Sequence, residues 1–252
     1  MAITRARVII GSVALVLVAG VSLYAFNATE QFLIRDARFR VAPADSAKPF
    51  LQVTGVNHAP IRAIEAVFAA DFGQSLYLVP LGERLEAVRT IDWVRDASVA
   101  RIWPNRLLVR VIEREPVAFA RLQSTKISLI DADGVLLPPA KDQFNLPVMV
   151  GVKSTDDLAT RQASVQRMLH LSSELGQGVM KDVSEIDVSN PENLAITIPH
   201  NGSLVKLQLG DREFSARYQA FLRHSSDIDS KVPGARVMDL RLDDRITVVE
   251  AE

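Results

Sequence analysis

The sequence of 252 residues contains no cysteine, which excludes disulfide bonds, thiolate metal ligands and a cysteine nucleophile. It has four histidines, and no two of them lie at the spacing of metal ligands. Lys and Arg number 29 against 30 Asp and Glu, so the basic excess typical of nucleic-acid-binding proteins is missing. We therefore expect neither a structural metal nor a nucleic-acid partner.

Motifs for catalysis are missing as well. There is no phosphate loop, no dinucleotide fingerprint and no G-x-S-x-G nucleophile motif. The run Asp131-Ala132-Asp133-Gly134 lacks the other ligands of a calcium loop and is typical of a turn between strands. The sequence predicts a non-enzymatic protein with no cofactor and no small-molecule substrate, and the alternative is an exported hydrolase whose site has no known motif.

One long apolar segment stands near the N-terminus. Val8–Phe26 contains no charged residue, and as a helix it would be about 28 Å long, close to the roughly 30 Å of a bilayer core. Arg5 and Arg7 precede it, which favours a cytoplasmic N-terminus. Residues 8–26 thus predict a single-pass type II anchor in the inner membrane, with residues 1–7 cytoplasmic. A cleaved signal peptide is the alternative, although its apolar part is normally only about 7–15 residues.

The segment after the anchor predicts a linker over residues 27–47 and a small βααββ domain over residues 48–116. Pro60 stands at a favoured helix start, and apolar residues at helical spacing follow it twice. Two strand-like runs then flank Trp103-Pro104-Asn105, whose composition is typical of a turn. We expect Trp93 in the core and Trp103 half exposed. The basic residues Arg101, Arg106, Arg110 and Arg114 favour a solvated strand face over a surface for anionic lipid or an acidic partner.

Residues 117–252 predict a second, mostly antiparallel β domain with helices, so the fold class is α+β. Apolar residues alternate with polar ones in its strands and recur at i, i+3 and i+4 in its helices. The predicted elements are a hairpin over Leu129–Leu136, a helix that begins near Thr155, strands over Leu194–Ile198 and Val205–Leu209, a helix from Phe214, and closing strands over Arg236–Leu242 and Arg245–Glu250 joined by a turn at Asp243-Asp244.

Several motifs resemble the FtsQ/DivIB family of bacterial cell division proteins and its polypeptide-transport-associated (POTRA) domain. The first half carries a W-V…A-x-V-x-R-x-W-P hairpin and a strand that ends in E-R-x-P-V-A, over Trp93–Ala118. The second half carries the family's L-I-D-x-x-G, L-P-x-x-x-G, L-G and D-L-R motifs, at Leu129–Gly134, Leu146–Gly151, Leu209-Gly210 and Asp239–Arg241.

The resemblance implies a scaffold of the division machinery, the divisome, at the septum. Its implied partners are FtsB, FtsL and other division proteins, with the lipid bilayer contacted through residues 8–26. POTRA domains also precede outer-membrane barrels, so a component of an outer-membrane transport system is the alternative function. The helices predicted after Pro116 do not suit a barrel.

The last strand is the predicted partner-binding site. It is rich in β-branched residues and closes the sequence, so we expect a sheet edge whose unpaired N–H and C=O groups can accept a strand. Ile246 and Val248 should face the core, and Thr247 and Val249 the other side; an edge blunted by charge is the alternative. The resemblance implies strand addition by FtsB here. The predicted contact residues are Arg241, which matches a family arginine, Leu242, which stands where the family commonly has an aromatic, and Arg245, Ile246, Thr247, Val248 and Val249.

Overall fold

The protein is represented by a computed structural model that describes residues 2–41, 50–123, 126–242 and 245–249. The chain divides into two compact units, Met1–Glu113 and Arg114–Glu252. The borders predicted from the sequence, which include a linker over residues 27–47, stay predictions.

A long helix, α1 (Ala2–Arg35), opens the first unit and continues past the predicted end of the membrane span at Phe26. Its large apolar side chains from Val13 to Phe26 are 54–77% exposed, whereas those of a core helix would be buried. Among the described residues, Val13–Arg35 is the one helix long and apolar enough to cross a membrane. These properties fit a single-pass membrane anchor.

The folded part of the first unit confirms the predicted βααββ order. Its three-stranded sheet has the order β1-β3-β2, with β1 parallel to β3 and β2 antiparallel to β3. Trp93 is buried and Trp103 is 48% exposed, as predicted. The elements are β1 (Leu51–Thr54), α2 (Ile61–Val67), α3 (Leu81–Arg89), β2 (Val94–Ile102) and β3 (Arg106–Glu113).

Arg101 does not lie on a solvated strand face, and this part of the sequence interpretation was wrong. Its guanidinium donates hydrogen bonds to the backbone carbonyls of Leu76, Tyr77 and Val79 at 2.8, 3.2 and 2.7 Å. These carbonyls lie outside the strands and the α-helices, so a long side chain supplies the hydrogen-bond donors that they need. Arg101 therefore fastens the segment before α3 to strand β2.

A carboxylate fixes the loop between β1 and α2. Glu113 Oε1 accepts the backbone N–H groups of Asn57, His58 and Ala59 at 2.8, 2.8 and 2.7 Å. Glu113 Oε2 lies 3.0 Å from His58 Nδ1, and the His58 ring stacks on Trp93 with ring centroids 4.6 Å apart. Burial raises the pKa of Glu113, but the hydrogen bonds outweigh it and leave the pKa below its ordinary value.

In the described residues of the second unit, nine strands form one mixed sheet in the order β12-β11-β10-β9-β8-β7-β4-β5-β6. Three of its pairings are parallel: β4 with β7, β7 with β8, and β10 with β11. The strands are β4 (Pro116–Arg121), β5 (Ile127–Asp131), β6 (Leu136–Leu137), β7 (Val148–Val150), β8 (Glu185–Asp187), β9 (Leu194–His200), β10 (Ser203–Gly210), β11 (Val237–Asp239) and β12 (Thr247–Val249).

Two helices provide crossovers for parallel pairs, which a tight turn cannot join. Helix α4 (Leu158–Met180) connects β7 to β8, and helix α5 (Phe214–Lys231) connects β10 to β11. Buried residues of both helices and of the sheet form one hydrophobic core, which includes Met168, Phe221 and Ile196.

His200 is half-buried although it stands directly before the Asn201-Gly202 turn. It ends β9, its Nε2 lies 3.0 Å from Asp229 Oδ2, and its ring meets that of Phe221 at 5.3 Å between centroids. The β9–β10 hairpin is thereby joined to helix α5.

Candidate functional site at the sheet edge

Strand β12 forms one margin of the nine-stranded sheet. It pairs antiparallel with β11, in the register Val237 with Val249, Met238 with Val248 and Asp239 with Thr247. Within the described ranges no strand pairs with its other side. The backbone N–H and C=O groups on that side are therefore available to a partner strand.

The side chains of this segment divide between two environments. Ile246 is half-buried and packs against the hydrophobic core, and Val248 is half-buried as well, whereas Thr247 is exposed. A strand whose alternate residues are anchored in this way keeps its register, because a shift by one residue would expose both apolar side chains. The edge is thus a fixed template.

Arg241 closes a local turn. Its Nε and Nη2 donate to the Asp239 carboxylate at 2.9 and 2.6 Å, and its backbone N–H donates to the same group at 3.0 Å. The Arg241 guanidinium holds the pKa of Asp239 below its ordinary value against the opposing effect of burial. This turn explains why β11 ends at Asp239 and does not continue to Leu242 as predicted. The predicted turn at Asp243-Asp244 and the end of the last strand at Glu250 lie outside the described residues.

A buried arginine supports the turn from the side of α5. Arg217 is 8% exposed and donates from Nη1 to the carbonyl of Leu209 at 2.6 Å. A Cβ atom at Gly210, where φ is +78°, would collide with this guanidinium. The positive charge of Arg217 also lowers the pKa of Asp239, although less than Arg241 does. The L-G and D-L-R motifs thus meet at one place in the fold.

A groove of about 600 Å³ lies between α5 and the edge strand. Its wall on the strand side consists of Leu240, Leu242, Arg245, Ile246 and Val248. Four of these five, all except Leu240, are among the seven predicted contact residues. Basic side chains in the lining outnumber acidic ones, with Arg217, Arg223, Lys231 and Arg245 against Glu213 and Asp227.

The sequence interpretation missed both this groove and the role of α5 in it. The apolar face of α5 was recognised from its spacing, but a groove requires knowledge of which strand the helix packs beside. One sequence feature did indicate a second functional face on α5. The charged residues Arg223, Asp227 and Lys231 follow one another at i+4 spacing and therefore share one side of the helix.

The chemistry available at this site is that of recognition. No group of three or more potential metal ligands occurs in the part of the chain that the structure describes. The edge offers backbone hydrogen bonds, and the groove offers apolar contact with a basic rim. Such a surface suits an extended peptide that places alternate apolar side chains beside the strand.

Comparison with known proteins covers both units. The model of the FtsQ-type POTRA domain matches residues 51–114, and the model of the C-terminal domain of cell division protein FtsQ/DivIB matches residues 118–241. The second match ends at Arg241, so the six other predicted contact residues lie beyond it.

Individual relatives give the same result. The cell division protein FtsQ of Koribacter versatilis is 34% identical over 215 residues, which are 83% of this chain and 60% of that protein. The FtsQ of Bordetella pertussis is 30% identical over 205 residues, 75% of this chain and 72% of the relative. A solved DivIB extracytoplasmic domain from Geobacillus stearothermophilus aligns with 48% of this chain and 98% of its own, at 19% identity and a TM-score of 0.29.

An apolar helix, an FtsQ-type POTRA domain and a following β domain define a class of POTRA proteins that carry a candidate membrane span. This chain belongs to the FtsQ/DivIB family of cell division proteins. The family match favours cell division over outer-membrane transport as the process the chain serves.

Proposed function

We propose that this chain is a non-enzymatic, membrane-anchored scaffold of the divisome that binds FtsB, within an assembly that also contains FtsL, by strand addition at β12. Its N-terminus lies in the cytoplasm, α1 crosses the inner membrane, and both folded units lie outside at the septum. The observation that carries the proposal is the unpaired outer side of β12 in the described sheet. Family membership supports the cellular process.

Strand addition requires an edge that is both ordered and unpaired. Three residues of β12 are held in register by β11, and Ile246 fastens the start of the strand to the core. A partner therefore loses its own conformational freedom on binding but does not have to order the template. This reduces the entropic cost of forming the new ladder.

The groove extends the contact beyond the backbone. A partner that continues past the strand would meet the apolar wall formed by Leu242 and Ile246 and the basic side chains on α5. Charge complementarity favours acidic side chains in the partner segment next to its strand. Arg241 is 47% exposed while it is paired with Asp239, so it can reach a second acceptor without leaving the first.

Proline substitutions test strand addition directly. Successive residues of an antiparallel strand direct their N–H groups to opposite sides. One of Thr247→Pro and Val248→Pro therefore removes a donor on the open side, and the other removes a donor to β11. We expect the variant on the open side to keep the thermal unfolding midpoint and to weaken FtsB binding about tenfold or more, because an unmade buried hydrogen bond costs about 1–3 kcal/mol.

The measurement is biolayer interferometry between the full-length chain in nanodiscs and the FtsB of the same organism. The matched control is Thr247→Val, which changes the side chain but retains the N–H group, and it should bind as the wild type does. If both proline variants bind FtsB with unchanged affinity, strand addition at β12 is wrong.

A further inference from the structure

An aromatic cluster lies where α1 meets the folded part of the first unit. Phe32 contacts Phe39, and Phe39 contacts Trp103, with ring centroids 5.5 and 5.6 Å apart and the rings nearly perpendicular. Phe32 and Trp103 are each 48% exposed. We call these three residues the juxtamembrane cluster, and more than one of its rings offers apolar surface to the surroundings.

One arginine side chain contacts the juxtamembrane cluster, and further arginines stand close to it in sequence. The Arg38 guanidinium lies over the rings of Phe32 and Phe39, 5.4 and 6.0 Å from their centroids, and it also pairs with Asp36 at 2.9 Å. Basic residues outnumber acidic ones on this part of the chain. The adjoining segments also carry three exposed basic residues, Arg35, Arg40 and Arg106, and one half-buried acidic residue, Glu30.

Hydrogen bonds hold α1 and the β2–β3 hairpin in one arrangement. Ser75 Oγ donates to the carbonyl of Leu33 near the end of α1 at 2.7 Å. The Val41 N–H donates to the Gln74 carbonyl at 2.8 Å, and the Gly73 N–H donates to the Val41 carbonyl at 2.9 Å. Arg101 of β2 binds the carbonyls that follow Ser75, so the hairpin that carries Trp103 is joined to the same segment. The juxtamembrane cluster therefore keeps its position relative to α1.

The depth of the cluster follows from the helix. Phe32 lies six residues beyond Phe26, the predicted end of the membrane span, which is about 9 Å along the axis. The polar headgroup layer on each side of a bilayer is about 5–8 Å thick. Phe32 thus lies at the outer boundary of that layer, next to the interface where aromatic rings and arginines are both favoured.

We propose that the juxtamembrane cluster and its arginines bind the headgroup region of the bilayer that α1 crosses, with the arginines on anionic lipid phosphates. Trp103 at the hairpin tip would then fix the first folded unit against the membrane surface. Continuity with the span favours lipid over a protein partner, because the lipid is already present beside Phe32. The inference rests on the anchor of the proposed function but not on strand addition at β12.

Tryptophan fluorescence tests this proposal with the full-length chain in nanodiscs. The sequence has two tryptophans, and Trp93 is buried, so the difference between the wild type and Trp103→Phe reports Trp103 alone. We expect this difference spectrum to be blue-shifted and to lose most of its intensity when the lipids carry bromine near the glycerol end of their acyl chains. Iodide in the buffer should quench it weakly.

A comparison of two lipid compositions tests whether the arginines bind anionic lipid. Discs of phosphatidylcholine alone should give less bromolipid quenching of Trp103 than discs that also contain phosphatidylglycerol, and the double variant R35Q/R40Q should lose this difference. Quenching that does not depend on anionic lipid would overturn the role of the arginines.

Three further outcomes overturn the proposal and can be told apart. If the chain enters discs but Trp103 is fully accessible to iodide, lipid contact is refuted and the anchor stays intact. If Trp103 is shielded only when another division protein is added, the cluster binds a protein partner. Failure of the chain to enter discs refutes the anchor itself.

Discussion

Replacement of Glu113 should destabilise the first unit more than replacement of any exposed acidic residue, because the Glu113 carboxylate accepts hydrogen bonds from three consecutive backbone N–H groups. Hydrogen bonds to charged groups contribute about 1.5–3 kcal/mol each. Asn57 is exposed and its N–H can return to water, whereas Ala59 is buried and His58 half-buried, so two donors would lose their partner. We expect Glu113→Ala to cost about 3–5 kcal/mol of unfolding free energy.

Glu113→Gln should have a smaller effect. The carbonyl oxygen of the glutamine can still accept the backbone N–H groups that now donate to Oε1, but the negative charge is lost. The glutamine NH2 group, also a donor, would face the His58 N–H, which lies 3.1 Å from Oε2 in the wild type. We expect a loss of about 1–2 kcal/mol. Glu115→Ala is the matched control, since this neighbouring side chain is exposed, and it should change the free energy by no more than about 0.5 kcal/mol.

The assay is urea unfolding of the full-length chain in nanodiscs, followed by the fluorescence of Trp93 in a Trp103→Phe background. Trp93 reports the loop that Glu113 holds because the His58 ring stacks on it. A free-energy loss for Glu113→Ala no larger than that for Glu115→Ala would refute the stabilising role of Glu113.

The remaining predictions concern pH and the last strand. Because the folded pKa of Glu113 is depressed, its stabilisation is complete above its unfolded pKa of about 4.3 and is lost as the pH falls through the folded value. The unfolding free energies of wild type and Glu113→Gln should therefore converge as the pH falls below the folded pKa, and a difference that stays constant as the pH falls would contradict this. Deletion of residues 245–252 should abolish FtsB binding and leave the circular dichroism spectrum nearly unchanged. The unfolding free energy should fall by about 1–3 kcal/mol because Ile246 no longer packs on the core. Undiminished binding would contradict the edge site.

Local patterns accounted for much of the fold. The turn at Trp103-Pro104-Asn105 and the helix from Phe214 follow from composition and spacing within a few residues, and both are present. The β-branched composition of the last strand predicted a sheet edge, and β12 is the outermost strand of the described sheet.

The features that escaped the sequence analysis depend on distant contacts. Nothing local to Arg101 indicates that its guanidinium binds carbonyls some 25 residues earlier, and the regular spacing of the four arginines favoured a common solvated face. The partner of His58 is likewise 55 residues away in sequence. The parallel pairings of the sheet depend on which strands the helices connect, and periodicity does not contain that information.

Amide hydrogen exchange at Thr247–Val249 tests whether β12 accepts a strand. The full-length chain would be compared alone and with FtsB, with residue-level resolution across β11 and β12. We expect the amides of β12 directed away from β11 to exchange rapidly in the free chain and to become protected in the complex, while those paired with β11 are protected in both. Protection of all β12 amides in the free chain, or no added protection with FtsB, would contradict it.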